Sequence, residues 1–259
     1  VALLIFQSTI INDHLKAQPT LWGMTQLGGE YNAGTIFKTD INGNNQSVQH
    51  SFFKVEGKIP YYSKLCEATN GKLYGMTYNG GTNNFGVLFQ YDPAAGTYTK
   101  KLDFDGANYG QIPMGSLIQA TDGKLYGMTS GGGINGFGVL FQYDPATDTY
   151  TKKINFDGTN NGSSPRGSLM QATDGKLYGM TYAGGVINNN GVLFQYDPVA
   201  DTLIKKFDFD WANNGRNPYS SLMQATDGKL YGMTESGGAN NYGVLFQYDP
   251  AADTLIKNL

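Results

Sequence analysis

Leu125-Tyr126-Gly127-Met128-Thr129 decides the fold, because the stretch is not unique. The same five residues stand at 73–77, 177–181 and 230–234, and a copy with Trp22 in place of Tyr stands at 21–25. The copies begin at 21, 73, 125, 177 and 230, so the steps are 52, 52, 52 and 53. A fixed period of this length marks a repeat architecture, in which each unit buries its apolar face against the next. Five such periods account for nearly all of the 259 residues. The repeat therefore takes precedence over length as a guide to domain count.

Outward from 125–129 the pattern is that of short strands. Ser116-Leu-Ile-Gln-Ala120 is an apolar run, and Thr121-Asp122-Gly123-Lys124 joins it to the pentapeptide. Asp-Gly between two such runs predicts a tight hairpin, since both positions tolerate positive φ. A Gly-rich loop follows at 130–136. Then Val139, Phe141 and Tyr143 alternate with Leu140 and Gln142, the period of a strand. A short turn at 145–148 leads to a fourth strand over 149–156, whose lysines suit an exposed edge. Longer Gly- and Asn-rich segments at 105–113, 157–165 and 210–218 link one unit to the next.

Four antiparallel strands in each of five repeats of about 52 residues predict an all-β, five-bladed β-propeller in one domain. The blades are expected at roughly 10–55, 62–105, 114–157, 166–209 and 219–259. In the divergent first unit the inner strand is expected within 10–18, its turn altered to Gln18-Pro19-Thr20. The apolar segment 1–7 has no counterpart in the other units, and residues 1–9 are expected to close the outer edge of the last blade. The extra residue behind the 53-residue step falls at 186–190, in a loop, where repeats accept insertions.

Composition narrows the function. The chain has 36 Gly, 18 Tyr and 14 Phe, which suits turns and strands. A formal charge of −3 gives no reason to expect a nucleic-acid partner. Cys66 is the one cysteine, so neither an intramolecular disulfide nor a multi-Cys metal site is available; it fills a column occupied elsewhere by Ile118, Met170 and Met223 and reads as a buried thiol. Two histidines, His14 and His50, cannot make a repeated metal site. Residues 103–108 have the beginning of a calcium loop without its later acidic ligand. No metal and no cofactor are expected. The opening 1–6 is apolar, too short to span a bilayer and without the basic start of a signal peptide.

The order Asp-Gly-x-Leu-Tyr-Gly-x-Thr, Gly-Gly-x-Asn, Gly-Val-Leu-Phe, together with the linker from Phe209 to Tyr219, resembles the GloVer tandem repeat of bacterial surface and secreted proteins. The resemblance spans essentially the whole chain and is weakest over 1–60. It implies an exported bacterial protein and carries with it no reaction and no catalytic residues.

In a propeller the tight turns lie on one face and the long loops on the other, and binding residues tend to sit on loops held by a rigid scaffold. The long loops therefore hold the candidate ligand-binding residues. After the pentapeptide come Asn83, Asn84, Asn135, Asn189, Asn240 and Asn241, with Tyr78 and Tyr182 beside them; the linkers add Tyr109, Trp211 and Tyr219. Amides suit vicinal sugar hydroxyls and rings can stack on a sugar face. The same residues also serve turn geometry and packing, and both readings stand at this stage. Trp211 replaces a Gly found at 106 and 158, so it is either a wedge or a contact.

Catalysis has little to stand on. A glycosidase needs a carboxylate pair. Most acids here repeat in turns, and the best unrepeated pair is Glu30 with Glu235. The expectation is a non-enzymatic multivalent binding module, most readily for carbohydrate on a glycan surface, exported or on the cell surface, without a membrane span. A structural or protein-interaction module of the envelope is the rival reading, and a glycoside hydrolase comes third.

Overall fold

The computed structural model describes residues 5–7 and 20–257, as two compact units, Val1–Asp105 and Gly106–Leu259. The first unit holds two four-stranded antiparallel sheets. Strands β1 (Ile5–Gln7), β2 (Thr20–Thr25), β3 (Thr35–Asp40) and β4 (Ser47–Ser51) pair in chain order, as do β5 (Cys66–Glu67), β6 (Leu73–Met76), β7 (Val87–Asp92) and β8 (Thr97–Asp103). Their interface is apolar: Trp22, Met24, Ile36 and Phe52 meet Leu65, Leu73, Val87, Phe89 and Tyr91. Cys66 is buried, as its column implied.

The N-terminal strand differs from expectation. Residues 5–7 pair with β2, Ile5 opposite Met24 and Gln7 opposite Trp22, so they occupy the first-strand place of their own sheet and not an edge of the last one. This pairing satisfies backbone N–H and C=O groups on an edge of β2 that would otherwise lie open. The inner strand expected within 10–18 lies outside the described residues.

The second unit holds three sheets of the same plan. They are β9 (Ile118–Gln119), β10 (Leu125–Thr129), β11 (Val139–Asp144) and β12 (Thr149–Asn155); β13 (Met170–Gln171), β14 (Leu177–Thr181), β15 (Val192–Asp197) and β16 (Thr202–Asp208); then β17 (Met223–Gln224), β18 (Leu230–Met233), β19 (Leu245–Asp249) and β20 (Thr254–Lys257). One turn of helix, α1 (Trp211–Asn214), sits in a linker where only irregular chain was expected; Asp210 caps it, accepting from the Ala212 N–H.

Each residue of the pentapeptide has a structural duty. Leu125 is fully buried. The buried Tyr126 donates its hydroxyl to Asp122 at 2.8 Å, so the hairpin turn satisfies the strand that follows it. Gly127 lies under the Phe141 ring; a Cβ there would stand 2.6 Å from the ring's Cζ. Met128 fills the space toward the next sheet. The Thr129 hydroxyl accepts from the Val139 N–H at 3.2 Å and donates to the Gly131 carbonyl at 2.9 Å, closing the strand end where the long loop begins.

Sheet-to-sheet ties in the second unit repeat as well. Gln171 accepts from the Thr121 N–H at 2.9 Å and donates to its hydroxyl at 3.1 Å, and Gln224 does the same to Thr173 at 2.9 and 3.2 Å. The outer strands contribute ion pairs, Lys153 to Asp201 at 3.1 Å and Lys206 to Asp253 at 3.3 Å. Those lysines, expected to decorate a free edge, reach the next sheet. Met233 and Leu245 in the last of these sheets are 56% and 37% exposed, where Met180 and Leu193 are buried.

Candidate functional site

The long loops of the second unit form one system. Each linker docks on the loop after the pentapeptide of the sheet it leads to. Ser163 pairs with Ala183 and Arg216 with Ser236 in isolated bridges. Gly185 and Gly238 donate to the carbonyls of Gly158 and Trp211 at 2.7 and 2.8 Å. Linker 157–165 is also fastened from within. Asp157 accepts from the Asn160 N–H and Nδ2 and from the Asn161 N–H. Burial pushes its carboxyl upward, but these bonds outweigh burial and hold it below the usual range.

The asparagines expected to face ligand are largely engaged in the scaffold. Asn84, Asn189 and Asn241 adopt positive φ, and their side-chain oxygens accept from Gly80, Gly184 and Gly237 N–H groups. Asn tolerates this conformation and closes the turn at once. Asn83 and Asn135 donate from Nδ2 to the Phe104 and Phe156 carbonyls, both at 3.1 Å, tying the loop to the end of its own outer strand. Asn240 is exposed.

The aromatic candidates fall into separate groups. In the first unit Tyr78 packs on Tyr61, ring centroids 5.6 Å apart. Tyr109 lies edge-on to Tyr150 at 5.0 Å and its carbonyl accepts the Tyr150 hydroxyl, which ties it to an outer strand. Two further pairs lie on neighbouring loops. Trp211 donates from Nε1 to the Asn241 side chain at 2.9 Å, and Tyr182 meets Tyr219 edge-to-face at 6.0 Å. Trp211 is 47% exposed, so it is a contact surface as well as a wedge.

Two arginines join these rings, and sequence reasoning passed over both. The Arg166 guanidinium carbon lies 3.4 Å from the Tyr182 ring centroid and 5.2 Å from that of Tyr219. Arg216 lies 4.3 Å from the Trp211 ring and donates from Nε to the Ser236 hydroxyl at 3.0 Å. The available signal was rarity: these are the chain's only arginines, beside sixteen lysines.

The tight-turn face presents a polar pocket of about 400 Å³ lined by Asp174, Asp227 and Asp249 among others. Those carboxylates already hold the Tyr178 and Tyr231 hydroxyls and backbone N–H groups, which makes the pocket part of the hairpin scaffold. Glu30 lies in the first unit and Glu235 in the second, both exposed. Among the described residues no group of three or more His, Cys, Asp or Glu could hold a metal ion, and no helix is long and apolar enough to cross a membrane.

Comparison with known proteins bears on the fold and the family. A family model described as the Gloeobacter/Verrucomicrobia repeat matches residues 8–120 and 103–258. No curated protein matches the chain. Similar solved structures are β-propeller proteins. TolB from Acinetobacter baumannii shares 13% identity at a TM-score of 0.56, over 92% of this chain and 51% of that one. A chain of a nidogen/laminin complex shares 10% at 0.57, over 92% and 74%. A puromycin-hydrolyzing peptidase of Mycobacterium tuberculosis shares 10% at 0.60, over 98% and 38%. The chain thus spans about half the length of that TolB and less of the peptidase. At such identities the likeness is one of fold alone.

Proposed function

This chain belongs to the Gloeobacter/Verrucomicrobia repeat family, and from that premise we propose that it is a binding module of an exported bacterial protein, directed at carbohydrate through its long loops. The five sheets are, on this reading, the five blades of one propeller. The observation that carries the proposal is the placement of Trp211 with Asn241, and of Tyr182 with Tyr219, on neighbouring loops of a hydrogen-bonded scaffold. Rings on rigid loops meet a sugar face at small entropic cost, and the amide groups not spent on the scaffold serve hydroxyls. Repetition of the loops suits a repetitive ligand, where avidity multiplies modest affinity. Family membership and the likeness to TolB support an envelope or exported location.

A glycan array with the full chain tests the proposal. Binding to a defined glycan class, weakened by Trp211→Ala or Tyr182→Ala, is the expected result. Silence across the array at high protein concentration would remove the carbohydrate reading. The protein-interaction reading would then lead, supported by the likeness to a propeller found in a nidogen/laminin complex.

A further inference from the structure

We propose that Arg166 and Arg216, set among Tyr182, Tyr219 and Trp211, recognise carboxylate-bearing sugars, so that the ligand is an acidic polysaccharide built from uronic acid units. The inference rests on the carbohydrate reading above and names the sugar class.

Three observations carry it. The first is the state of Arg166. Five lysines of the sheets are matched within the fold, Lys100 to Asp103, Lys153 to Asp201, Lys176 to Asp197, Lys205 to Asp208 and Lys206 to Asp253. Arg166 has no hydrogen bond or ion pair among the described residues; only the faces of Tyr182 and Tyr219 hold it. An arginine stacked in this way keeps the N–H donors on its edge unspent, in a planar fork that matches a carboxylate.

The second is position. Arg166 stands immediately after the linker proline, a column filled elsewhere by Tyr61, Met114 and Tyr219. Tyr182 follows the pentapeptide, in a column filled by Tyr78, Ser130 and Glu235. The backbone at these places repeats from sheet to sheet while the side chains change, so the residues are not dictated by the scaffold. Within the second unit a guanidinium lies against two rings at only one of these places among the described residues.

The third is continuity. The linker that carries Trp211, Arg216 and Tyr219 ends beside Arg166, and Asn217 within it donates to the Tyr182 carbonyl at 2.9 Å. This linker thus has a guanidinium against aromatic rings near both of its ends, Arg216 on Trp211 and Arg166 on Tyr219 and Tyr182. A uronic acid has a ring face to stack and a carboxylate to bind. A neutral sugar accepts guanidinium hydrogen bonds at its hydroxyls, but only a carboxylate matches both the planar fork and its charge. A nucleic acid would draw on a longer run of cations, and the chain carries a net charge of −3.

The test is titration calorimetry of the full chain with an oligogalacturonate, its carboxyl-reduced neutral counterpart, and an oligothymidylate of similar length. Preference for the acidic oligosaccharide over its reduced form by about tenfold or more is expected, the worth of one charge-assisted pair. Arg166→Gln should abolish that preference. Arg166→Lys, which keeps the charge and loses the fork and the stacking, should restore only a minor part of it. Arg216→Gln should weaken binding as well, and thermal melts establish that each variant is folded. Equal binding of the acidic and reduced oligosaccharides, or an undiminished preference in Arg166→Gln, overturns the inference and leaves the carbohydrate reading intact. Glycan binding confined to neutral sugars on the array does the same. Tighter binding of oligothymidylate overturns it in favour of nucleic acid. No binding of any glycan overturns both.

Discussion

The hydroxyl of Tyr178 donates to Asp174 across 2.8 Å, joining the second strand of a sheet to the turn that precedes it. Tyr126 with Asp122 and Tyr231 with Asp227 repeat the bond. Burial first, and the adjacent carboxylate second, push the Tyr178 hydroxyl far above its ordinary pKa, so it remains a donor at any working pH. Tyr178→Phe keeps the ring and removes the bond. A loss of about 1–2 kcal/mol, the lower end for a hydrogen bond to a charged group because Asp174 is exposed, is expected in urea denaturation. An unchanged midpoint would show that the turn is held by its backbone alone.

Gly179 lies beneath a ring. A Cβ there would stand 2.6 Å from Phe194 Cζ and 2.9 Å from Leu169 Cδ2. Gly179→Ala should destabilise by about 1–3 kcal/mol through overpacking. The double variant with Phe194→Leu should recover part of that loss, and additive effects would place the origin in the backbone instead.

Asp201 connects two sheets of the second unit, accepting from Tyr196 in its own sheet and from Lys153 in the preceding one. The Asp201 side chain is half-exposed, so the ionic part is screened. A double-mutant cycle of Lys153→Met with Asp201→Asn should give a coupling of about 0.5 kcal/mol, falling in 1 M salt. Coupling that persists in salt would assign the effect to packing of the lysine stem.

His50 predicts an acid-sensitive first unit. Its ring stacks on Tyr98, centroids 4.0 Å apart, and burial holds the imidazole pKa down to about 4. The unfolded chain takes up this proton near pH 6.5 and the folded chain only near 4. Stability from neutral His50 is therefore complete above about pH 6.5 and is lost as pH falls toward 4. Glu56, 3.7 Å away, works in the opposite sense, because burial raises its carboxyl pKa and protonation relieves it. Trp211→Phe leaves Trp22 as the one tryptophan, a reporter of the first unit. In that background His50→Gln should flatten the decline in urea midpoint between pH 6.5 and 4. Parallel profiles for the two proteins would exclude His50 as the source.

By itself the sequence determined what depends on local pattern. The 52-residue step, the Asp-Gly turns and the alternation at 139–143 were enough for all-β sheets of four strands, since strand period and turn chemistry act between near neighbours. They also placed the long loops as the variable elements. Tertiary structure decided how the side chains of those loops are used. Asn84 and Asn241 look equally available in a list of residues, yet both close their own turns, and Asn241 holds Trp211 as well. Arg166 and Tyr182 are sixteen residues apart and Trp211 and Asn241 thirty. Whether such pairs meet is set by how one loop docks on another, and a repeated backbone carries nearly the same sequence signal whether or not they do. The N-terminal segment shows the same limit: a short extended segment such as 5–7 can complete any open strand edge, and only the pairing with β2 settles which one it takes.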